Sequence, residues 1–231
     1  MKKIINMVEP TKSFQCAEAC ENLVGEEKNK VLVYVAPIPK NLKFEEVYPS
    51  ERQIEIESVS NQEVKREKYF VWKLLLFAIQ KKFDADLESI AFTKNESGKW
   101  ACDRCEFSLS HSKGVVCVAI SSFPVGVDVE RVEKPKRDIS GKILSEEELE
   151  EFKSLDKNEK DKFLISRWTN KESIFKMKDK KTYSFEEFKS YGGDVFQKFI
   201  EVGGEEFSLS VCSKTPLYVD YQVIGIENLI V

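Results

Sequence analysis

Two acidic residues alternate with valines near the middle of the chain, in the string Gly126-Val-Asp-Val-Glu130. Such alternation predicts a β-strand, in which side chains two positions apart point to the same face. Asp128 and Glu130 would therefore share a face, where their mutual repulsion favours a cation between them. Magnesium prefers oxygen ligands, so the pair predicts a divalent metal site. The alternative is a half-exposed strand with both acids in water.

A second set of charges lies in a long helix predicted over 158–178. Apolar residues recurring at helical spacing form a stripe of Leu164, Trp168 and Phe175. Lys171 falls inside this stripe, and Glu172 and Lys176 lie on its flank. Burying an unpaired charge is costly, so partners are expected, and an anion bound through a metal would be one. Alternatively, Glu172 and Lys176 are four residues apart and form an exposed ion pair.

A polar string, Ser110-His-Ser-Lys-Gly114, separates two predicted strands. A tight turn with two hydroxyls, an imidazole and an ammonium offers several donors to one anion, such as a phosphate monoester. Ser97-Gly-Lys99 is a similar turn with a basic residue. The alternative is an ordinary polar hairpin turn, because turns favour serine and glycine.

The elements that must position these residues alternate between strands and helices. Strands are predicted at 31–38, 89–94, 105–110, 115–121, 125–132, 195–202, 206–212 and 217–225. Helices are predicted at 62–83 and 158–178, with shorter ones beginning near Pro49 and at the capping box Ser145-Glu-Glu-Glu148. The fold class expected is α+β, with small, mostly antiparallel sheets that each accompany a long helix.

The two halves follow the same order of elements, and Glu106-Phe-Ser-Leu-Ser110 recurs as Glu206-Phe-Ser-Leu-Ser210 after the second long helix. We therefore predict an internal duplication. An N-terminal half, 1–122, and a C-terminal half, 123–231, would pack as a pseudo-dimer with the active site in the cleft between them. The C-terminal half would carry the metal site.

Composition limits the classes of partner. The 231 residues carry 36 basic and 40 acidic side chains, a formal net charge of −4, which gives no general attraction to nucleic acid or to an anionic membrane. No secretory or transit signal is recognised. The longest apolar stretch, 69–79, is too short for a bilayer span of about 20 residues. A cytoplasmic protein is expected.

Six cysteines occur, at positions 16, 20, 102, 105, 117 and 212. Cys102-Asp-Arg-Cys105 has the spacing of a redox motif or of half a zinc site, to which Cys16 and Cys20 could add ligands. A second tight pair is missing, and His111 is the single histidine. Free thiols are the favoured interpretation, and structural zinc is the alternative.

Four motifs together resemble a known family. Lys99 after a glycine turn, Phe107-Ser-Leu-Ser-His-Ser112, Gly126-Val-Asp-Val-Glu130 and Trp168-Thr-Asn-Lys-Glu-Ser173 with Lys176 are similar, in order and spacing, to those of Sfp-type 4'-phosphopantetheinyl transferases. The resemblance extends from about Ser97 to Lys178. The chain length resembles that of the monomeric pseudo-dimer class, and not that of the half-length trimeric holo-acyl-carrier-protein synthases.

The resemblance implies roles for individual residues. Three acids match the family's magnesium ligands: Asp128, Glu130 and Glu172. Ser110 and His111 match the group at the 3'-phosphate of coenzyme A. Basic positions that line the phosphates correspond to Lys99, Lys171 and Lys176. Glu172 would act as metal ligand, as general base, or as both, and Lys176 would be catalytic with it.

The reaction implied is transfer of phosphopantetheine from coenzyme A to a serine of an apo carrier protein, with release of 3',5'-adenosine diphosphate. Coenzyme A and an apo acyl or peptidyl carrier protein are the expected partners, magnesium the expected cofactor, and a monomer the expected state. Trp100 follows Lys99 where the family usually has proline. Arg52 and Lys68 are candidates for the nucleotide contacts, and Glu55 stands where a lysine was expected. A non-catalytic module that binds coenzyme A or a carrier protein is the alternative.

Overall fold

The structure, a computed structural model, describes residues 29–39, 44–135, 138–179, 188 and 191–225. Nine strands lie in this part of the chain: β1 (Lys30–Pro37), β2 (Phe92–Lys94), β3 (Trp100–Cys102), β4 (Glu106–Ser112), β5 (Val115–Ser121), β6 (Gly126–Arg131), β7 (Asp194–Val202), β8 (Glu205–Ser213) and β9 (Tyr218–Val223). The α-helices are α1 (Ser50–Glu57), α2 (Gln62–Phe83), α3 (Ser140–Ile143), α4 (Glu146–Ser154) and α5 (Lys157–Lys178). A short 3-10 helix covers Leu87–Ser89.

The described strands form three sheets. The first has the order β4-β5-β1-β9, with β1 antiparallel to β5 and parallel to β9, and β2 and β3 form a separate antiparallel pair. The third sheet has the order β6-β8-β7 and is antiparallel throughout. The predicted α+β class is therefore confirmed. The parallel pairing of β9 with β1 was not expected.

The two larger sheets pack face to face between two helices. Strand β5 is apolar on both faces: Val116, Val118 and Ile120 pack toward α2, whereas Val115, Cys117 and Ala119 pack toward the third sheet. The core between the sheets also contains Val127 and Val129 of β6. Helix α5 covers the other face of β6 and β8. This explains why β1 and β5 are continuous apolar runs, because a strand buried on both faces has no place for polar alternation.

Strand β4 contacts β6 through three serines, Ser108, Ser110 and Ser112, which we call the serine ladder. Each hydroxyl oxygen accepts a hydrogen bond from a β6 backbone N–H, in the order Val127, Val129 and Arg131, at 3.0, 3.2 and 3.4 Å. Strand β6 is at the edge of its sheet, so these N–H groups have no neighbouring strand. The serine ladder gives them acceptors, as buried backbone donors require.

The long helices begin and end close to the predicted positions. Asn61 caps α2 by accepting from the N–H groups of Glu63 and Val64. The capping box predicted at Ser145 and Glu148 is present at the start of α4. The strand predicted over 89–94 is shorter than expected, because the 3-10 turn uses its first residue and β2 begins only at Phe92.

The repeated five-residue string does not lie on corresponding strands. The order β4-β5-β1 in the first sheet has the same form as β7-β8-β6 in the third, which aligns β4 with β7 and β5 with β8. Glu106–Ser110 lies in β4, at a sheet edge, but Glu206–Ser210 lies in β8, at a sheet centre. The correspondence drawn from this string is wrong: the same strand-forming sequence serves two different positions.

Across the described ranges, no helix combines the length and apolar character needed to cross a membrane.

Gly126 allows α5 to approach β6. A Cβ atom at this position would lie 1.9 Å from the carbonyl oxygen of Ser173 and 2.7 Å from the backbone nitrogen of Met177. Both are backbone atoms of α5, which cannot move independently of the helix. Any larger residue would therefore push the helix away from the strand.

We predict that Gly126→Ala lowers the free energy of unfolding by about 1–3 kcal/mol, because overpacking forces backbone shifts. Urea denaturation followed by circular dichroism measures the change. Gly141→Ala is the matched control, since a Cβ there would meet no atom within 4 Å, and we expect it to be neutral or slightly stabilising. Equal stability of the two variants would contradict the close approach.

Candidate functional site

Asp128 and Glu130, which we call the carboxylate pair, lie on one face of β6, as the alternation predicted. Val127 and Val129 point into the core between the sheets, so the acids face α5. Asp128 is buried and Glu130 is half-buried. The open edge of β6 lies over the serine ladder, so the pair sits where the first sheet, the third sheet and α5 meet.

The two oxygens of the Asp128 carboxylate differ in their hydrogen bonding. Its Oδ1 accepts hydrogen bonds from Lys176 Nζ and Ser110 Oγ, both at 2.7 Å. Its Oδ2 is buried and has no hydrogen-bond partner among the described residues. Burial raises the pKa of Asp128, although Lys176 and Ser110 act in the opposite direction. The site therefore disfavours the ionised form of Asp128 relative to its protonated form.

Glu130 is held by donors from two elements. Ser112 Oγ donates to Oε2 at 2.5 Å, and the indole N–H of Trp168 in α5 donates to Oε1 at 3.3 Å. Burial, followed by the charge of Asp128, raises the pKa of Glu130. Burial thus disfavours the ionised form of both members of the carboxylate pair.

Lys176 is the cation closest to the pair. Besides its ion pair with Asp128, its ammonium donates to Ser110 Oγ at 2.9 Å. Lys99 approaches the same end of α5, where its Nζ donates to the backbone carbonyl of Lys176 at 3.2 Å. The structure therefore brings four of the predicted residues together: Lys99, Ser110, Asp128 and Lys176.

Glu172 is half-buried on α5, one turn before Lys176. No group of three or more acidic, histidine or cysteine side chains close enough to hold a metal ion occurs within the described residues. Asp128 is paired here with the ammonium of Lys176, and the role of Glu172 as a third metal ligand stays a prediction.

Two of the three acids nevertheless suit a divalent cation. Asp128 Oδ2 is a buried acceptor without a donor, and Glu130 lies on the same face two residues later. Both pKa values are raised, by burial in the first place, and a positive charge nearby would favour the ionised forms. Carboxylate oxygens are the ligands that magnesium prefers. The residues present fit the metal that the sequence suggested.

His111 lies in β4, and not in a turn as the sequence suggested. The strand continues to Ser112, and the turn consists of Lys113 and Gly114, with φ angles of 47° and 84°. Because strand side chains alternate, His111 points away from the serine ladder, and its Nδ1 lies 3.1 Å from Glu67 Oε2. The expected single set of donors, with hydroxyls and imidazole side by side, is therefore wrong.

Besides the carboxylate of Glu67, three cations act on His111. Burial, followed by the charges of Lys176, Lys68 and Arg52, lowers the pKa of His111 to about 4. The imidazole is therefore neutral at pH 7 in this state. Such a concentration of positive charge favours an anion.

Glu55 sits among the same cations. Its carboxylate pairs with Arg52 at 3.0 Å, with Lys94 at 2.9 Å and with Lys68 at 3.5 Å. Trp100 Nε1 donates to Glu55 at 2.9 Å. Burial opposes ionisation of Glu55, but Lys94, Trp100 and Arg52 outweigh it and lower its pKa to about 2. An acid at this position thus binds the basic residues that the sequence offered for nucleotide contacts.

The side chain of Lys171 contacts α3 and α4. Its buried ammonium donates to the carbonyl oxygen of Ile143 and, at 2.6 Å, to Glu148 Oε2. A charge in the apolar stripe of α5 was expected to have a partner, and these contacts supply it from α3 and α4. The structure does not bring Lys171 to the carboxylate pair.

Two residues that hold the pair were not among the predicted site residues. Ser112 and Trp168 donate to Glu130, yet the serine was considered part of a turn and the tryptophan part of an apolar stripe. The spacing of Ser108, Ser110 and Ser112 was the available signal, because three serines on one strand face indicate a polar contact.

Comparison with known proteins supports the family resemblance that the motifs indicated. Residues 124–215 match the family model of the 4'-phosphopantetheinyl transferase superfamily. The chain is 37% identical over 97 residues to the 4'-phosphopantetheinyl transferase gsp of Aneurinibacillus migulanus, which covers 42% of this chain and 41% of that protein. It is 28% identical over 110 residues to 4'-phosphopantetheinyl transferase Sfp of Bacillus subtilis, which covers 46% of this chain and 49% of that protein.

A longer match reaches into the first half. A 4'-phosphopantetheinyl transferase of Bacillus subtilis is 26% identical over 171 residues, covering 67% of this chain and 75% of the relative. The first two matches span no more than half of their relatives' length. Residues 124–215, which contain both the carboxylate pair and α5, are thus similar to the 4'-phosphopantetheinyl transferase superfamily, and the resemblance to the Sfp type is confirmed.

Proposed function

We propose that this protein transfers the 4'-phosphopantetheine group of coenzyme A to a serine of an apo carrier protein. The observation that carries the proposal is the carboxylate pair with one unpartnered buried oxygen, held against Lys176. The relatives named 4'-phosphopantetheinyl transferase support the same reaction. Coenzyme A and an acyl or peptidyl carrier protein are the proposed partners.

The reaction is a phosphoryl transfer. The serine hydroxyl attacks the phosphorus on the pantetheine side of the pyrophosphate, the bond to the bridging oxygen breaks, and 3',5'-adenosine diphosphate leaves. Such reactions depend on positioning and charge neutralisation. Lys176 would stabilise the non-bridging oxygens as charge redistributes, and Lys99 would add positive charge at the same end of α5.

Asp128 and Glu130 would hold Mg²⁺ through their carboxylate oxygens. When bound, the ion would neutralise charge on the leaving side of the pyrophosphate. Ser112 and Trp168 hold the Glu130 oxygens in place, and Ser110 holds Asp128. These residues are positioning residues, since they reach the reaction only through the acids and, for Ser110, also through Lys176.

Glu172 is proposed as the general base for the carrier serine, as a further metal ligand, or as both. The two roles make different demands, because a carboxylate bound to magnesium is a weaker base. We leave Lys171 out of the phosphate contacts, since its ammonium is held by Ile143 and Glu148.

The 3'-phosphate of coenzyme A would bind near His111. Lys68 and Arg52 supply positive charge there, and Glu55 would have to share these cations with the incoming phosphate. Neutral His111 can still donate a hydrogen bond from its protonated ring nitrogen.

We further propose that 1–122 and 123–231 are related halves of a pseudo-dimer, with the site in the cleft between them. The matching orders β4-β5-β1 and β7-β8-β6 support this arrangement. A monomer that acts in the cytoplasm is part of the proposal, and the free thiols at Cys102, Cys105, Cys117 and Cys212 suit a reducing compartment.

The first prediction concerns the reaction itself. Incubation of the protein with coenzyme A, Mg²⁺ and apo carrier proteins should add one phosphopantetheine mass to a carrier, as measured by intact-protein mass spectrometry. Lys176→Gln should lower kcat/KM by about a hundredfold or more, because it removes a cation from the charged transition state. Lys142→Gln, an exposed lysine on α3, is the control and should retain the wild-type rate.

Binding of coenzyme A without any adduct, on acyl, peptidyl and aryl carriers alike, would establish the non-catalytic alternative. An unchanged rate in Lys176→Gln would remove this lysine from the mechanism.

The second prediction concerns the metal. Because a ligand that binds only the folded state stabilises it, millimolar Mg²⁺ should raise the melting temperature of the wild type by several degrees. Glu130→Gln should abolish this rise and leave the fold intact, since the amide keeps an oxygen for Ser112 or Trp168. Glu150→Gln, which alters an exposed acid, should behave as wild type. A full Mg²⁺ shift in Glu130→Gln would exclude the carboxylate pair as the site.

The third prediction uses the single histidine. In a protein without a histidine tag, the chemical shift of the one imidazole, recorded by NMR against pH, gives the pKa of His111 directly. The pKa should be about 4 without ligand and should rise when coenzyme A binds, because the 3'-phosphate offsets the surrounding cations. Binding of 3'-dephospho-coenzyme A should raise it less. Equal shifts with both ligands would place the phosphate elsewhere.

A further inference from the structure

A pair of thiols lies outside the proposed transferase site. Cys102 ends β3, and Cys105 directly precedes β4. Their sulfur atoms are 3.7 Å apart, and Cys102 Sγ lies 3.3 Å from the backbone carbonyl oxygen of Cys105. A disulfide bond is about 2.05 Å long, so the two sulfurs lie in contact but are not bonded.

The bend that brings the thiols together is fixed by the preceding segment. The Asp103 backbone N–H donates to the Ala91 carbonyl at 3.2 Å, and Asp103 Oδ1 accepts from the Ala91 N–H at 3.2 Å. The β2–β3 ladder pairs Cys102 with Phe92. Both thiols are half-buried at the border of the core beneath α2. The geometry is therefore built into the fold.

The two thiols differ in acidity. The hydrogen bond with Cys105 lowers the pKa of Cys102, against the effect of burial and with help from the backbone N–H groups of Arg104 and Cys105. The same hydrogen bond, followed by burial, raises the pKa of Cys105. A thiolate is the nucleophile in disulfide exchange. This asymmetry gives Cys102 the attacking role and Cys105 the resolving role.

We propose that Cys102 and Cys105 form a redox-active dithiol that is oxidised to an intramolecular disulfide by small-molecule disulfides. The Cys102 thiolate attacks one sulfur of glutathione disulfide, the disulfide bond breaks, and one glutathione thiolate leaves. Cys105 then loses its proton and attacks Cys102 Sγ, which releases the second glutathione thiolate. The protein loses two electrons and two protons, and two glutathione molecules are formed.

The test uses the full chain, reduced and then equilibrated with glutathione buffers of increasing oxidised fraction. Acid quenching, alkylation of free thiols and peptide mass spectrometry locate each bond. We expect a peptide containing Cys102 and Cys105 that has lost two hydrogen atoms and resists alkylation. Cys117 and Cys212, both fully buried, are the internal controls and should remain reduced. The readout does not depend on transferase activity.

Two variants assign the roles. Cys105→Ser keeps a hydrogen-bond donor beside Cys102 but removes the resolving thiol, so it should accumulate a glutathione adduct on Cys102. Cys102→Ser should form an adduct on Cys105 at least about tenfold more slowly, because fewer Cys105 thiols are ionised.

Three results would overturn the proposal. One is a reduced pair at the most oxidising ratio. Another is a bond from Cys102 or Cys105 to Cys16 or Cys20 instead of between themselves. The third is zinc retained through dialysis against a chelator and released stoichiometrically when the two thiols are alkylated.

Discussion

The serine ladder is the contact on which the proposed site depends. Three hydroxyls from one face of β4 accept hydrogen bonds from the unpaired edge of β6. An open strand edge inside a protein carries donors that must be satisfied. A neighbouring β-strand would satisfy them by extending the sheet, but serine side chains do so across a sheet-to-sheet contact. The edge of the third sheet is thus joined to the face of the first.

The same hydroxyls that accept from the backbone also donate to the acids. Ser110 donates to Asp128, and Ser112 donates to Glu130. A hydroxyl can serve both roles because it has one donor and two acceptor sites. Valine at these positions would fill similar space but leave the N–H groups without these acceptors, and each carboxylate would lose its serine donor. The contact between the sheets and the geometry of the acids therefore have one chemical cause.

In this region, burial disfavours both the ionised acids and the protonated histidine. A bound cation would stabilise the acids, and a bound anion would stabilise the protonated histidine. The carboxylate pair has raised pKa values because burial disfavours its charge. On the face of β4 opposite the serine ladder, His111 has a lowered pKa because burial and the nearby cations disfavour its positive form. Buried acids near a histidine whose positive form is disfavoured suit a metal-bound polyphosphate. Glu55 partly fills the second need from within the protein.

The sequence by itself determined the elements and the faces of the strands. The α+β class, the two long helices, the capping box and the shared face of Asp128 and Glu130 follow from local periodicity, which each segment carries independently of the rest. The family resemblance also lay in local motifs. Only the tertiary structure decided which strand neighbours which: β9 joins β1, and the repeated strings occupy an edge strand and a central strand. It also decided that Lys171 turns to Glu148 and that His111 lies opposite the serine ladder, because a side chain's partners depend on elements distant in sequence that packing brings together.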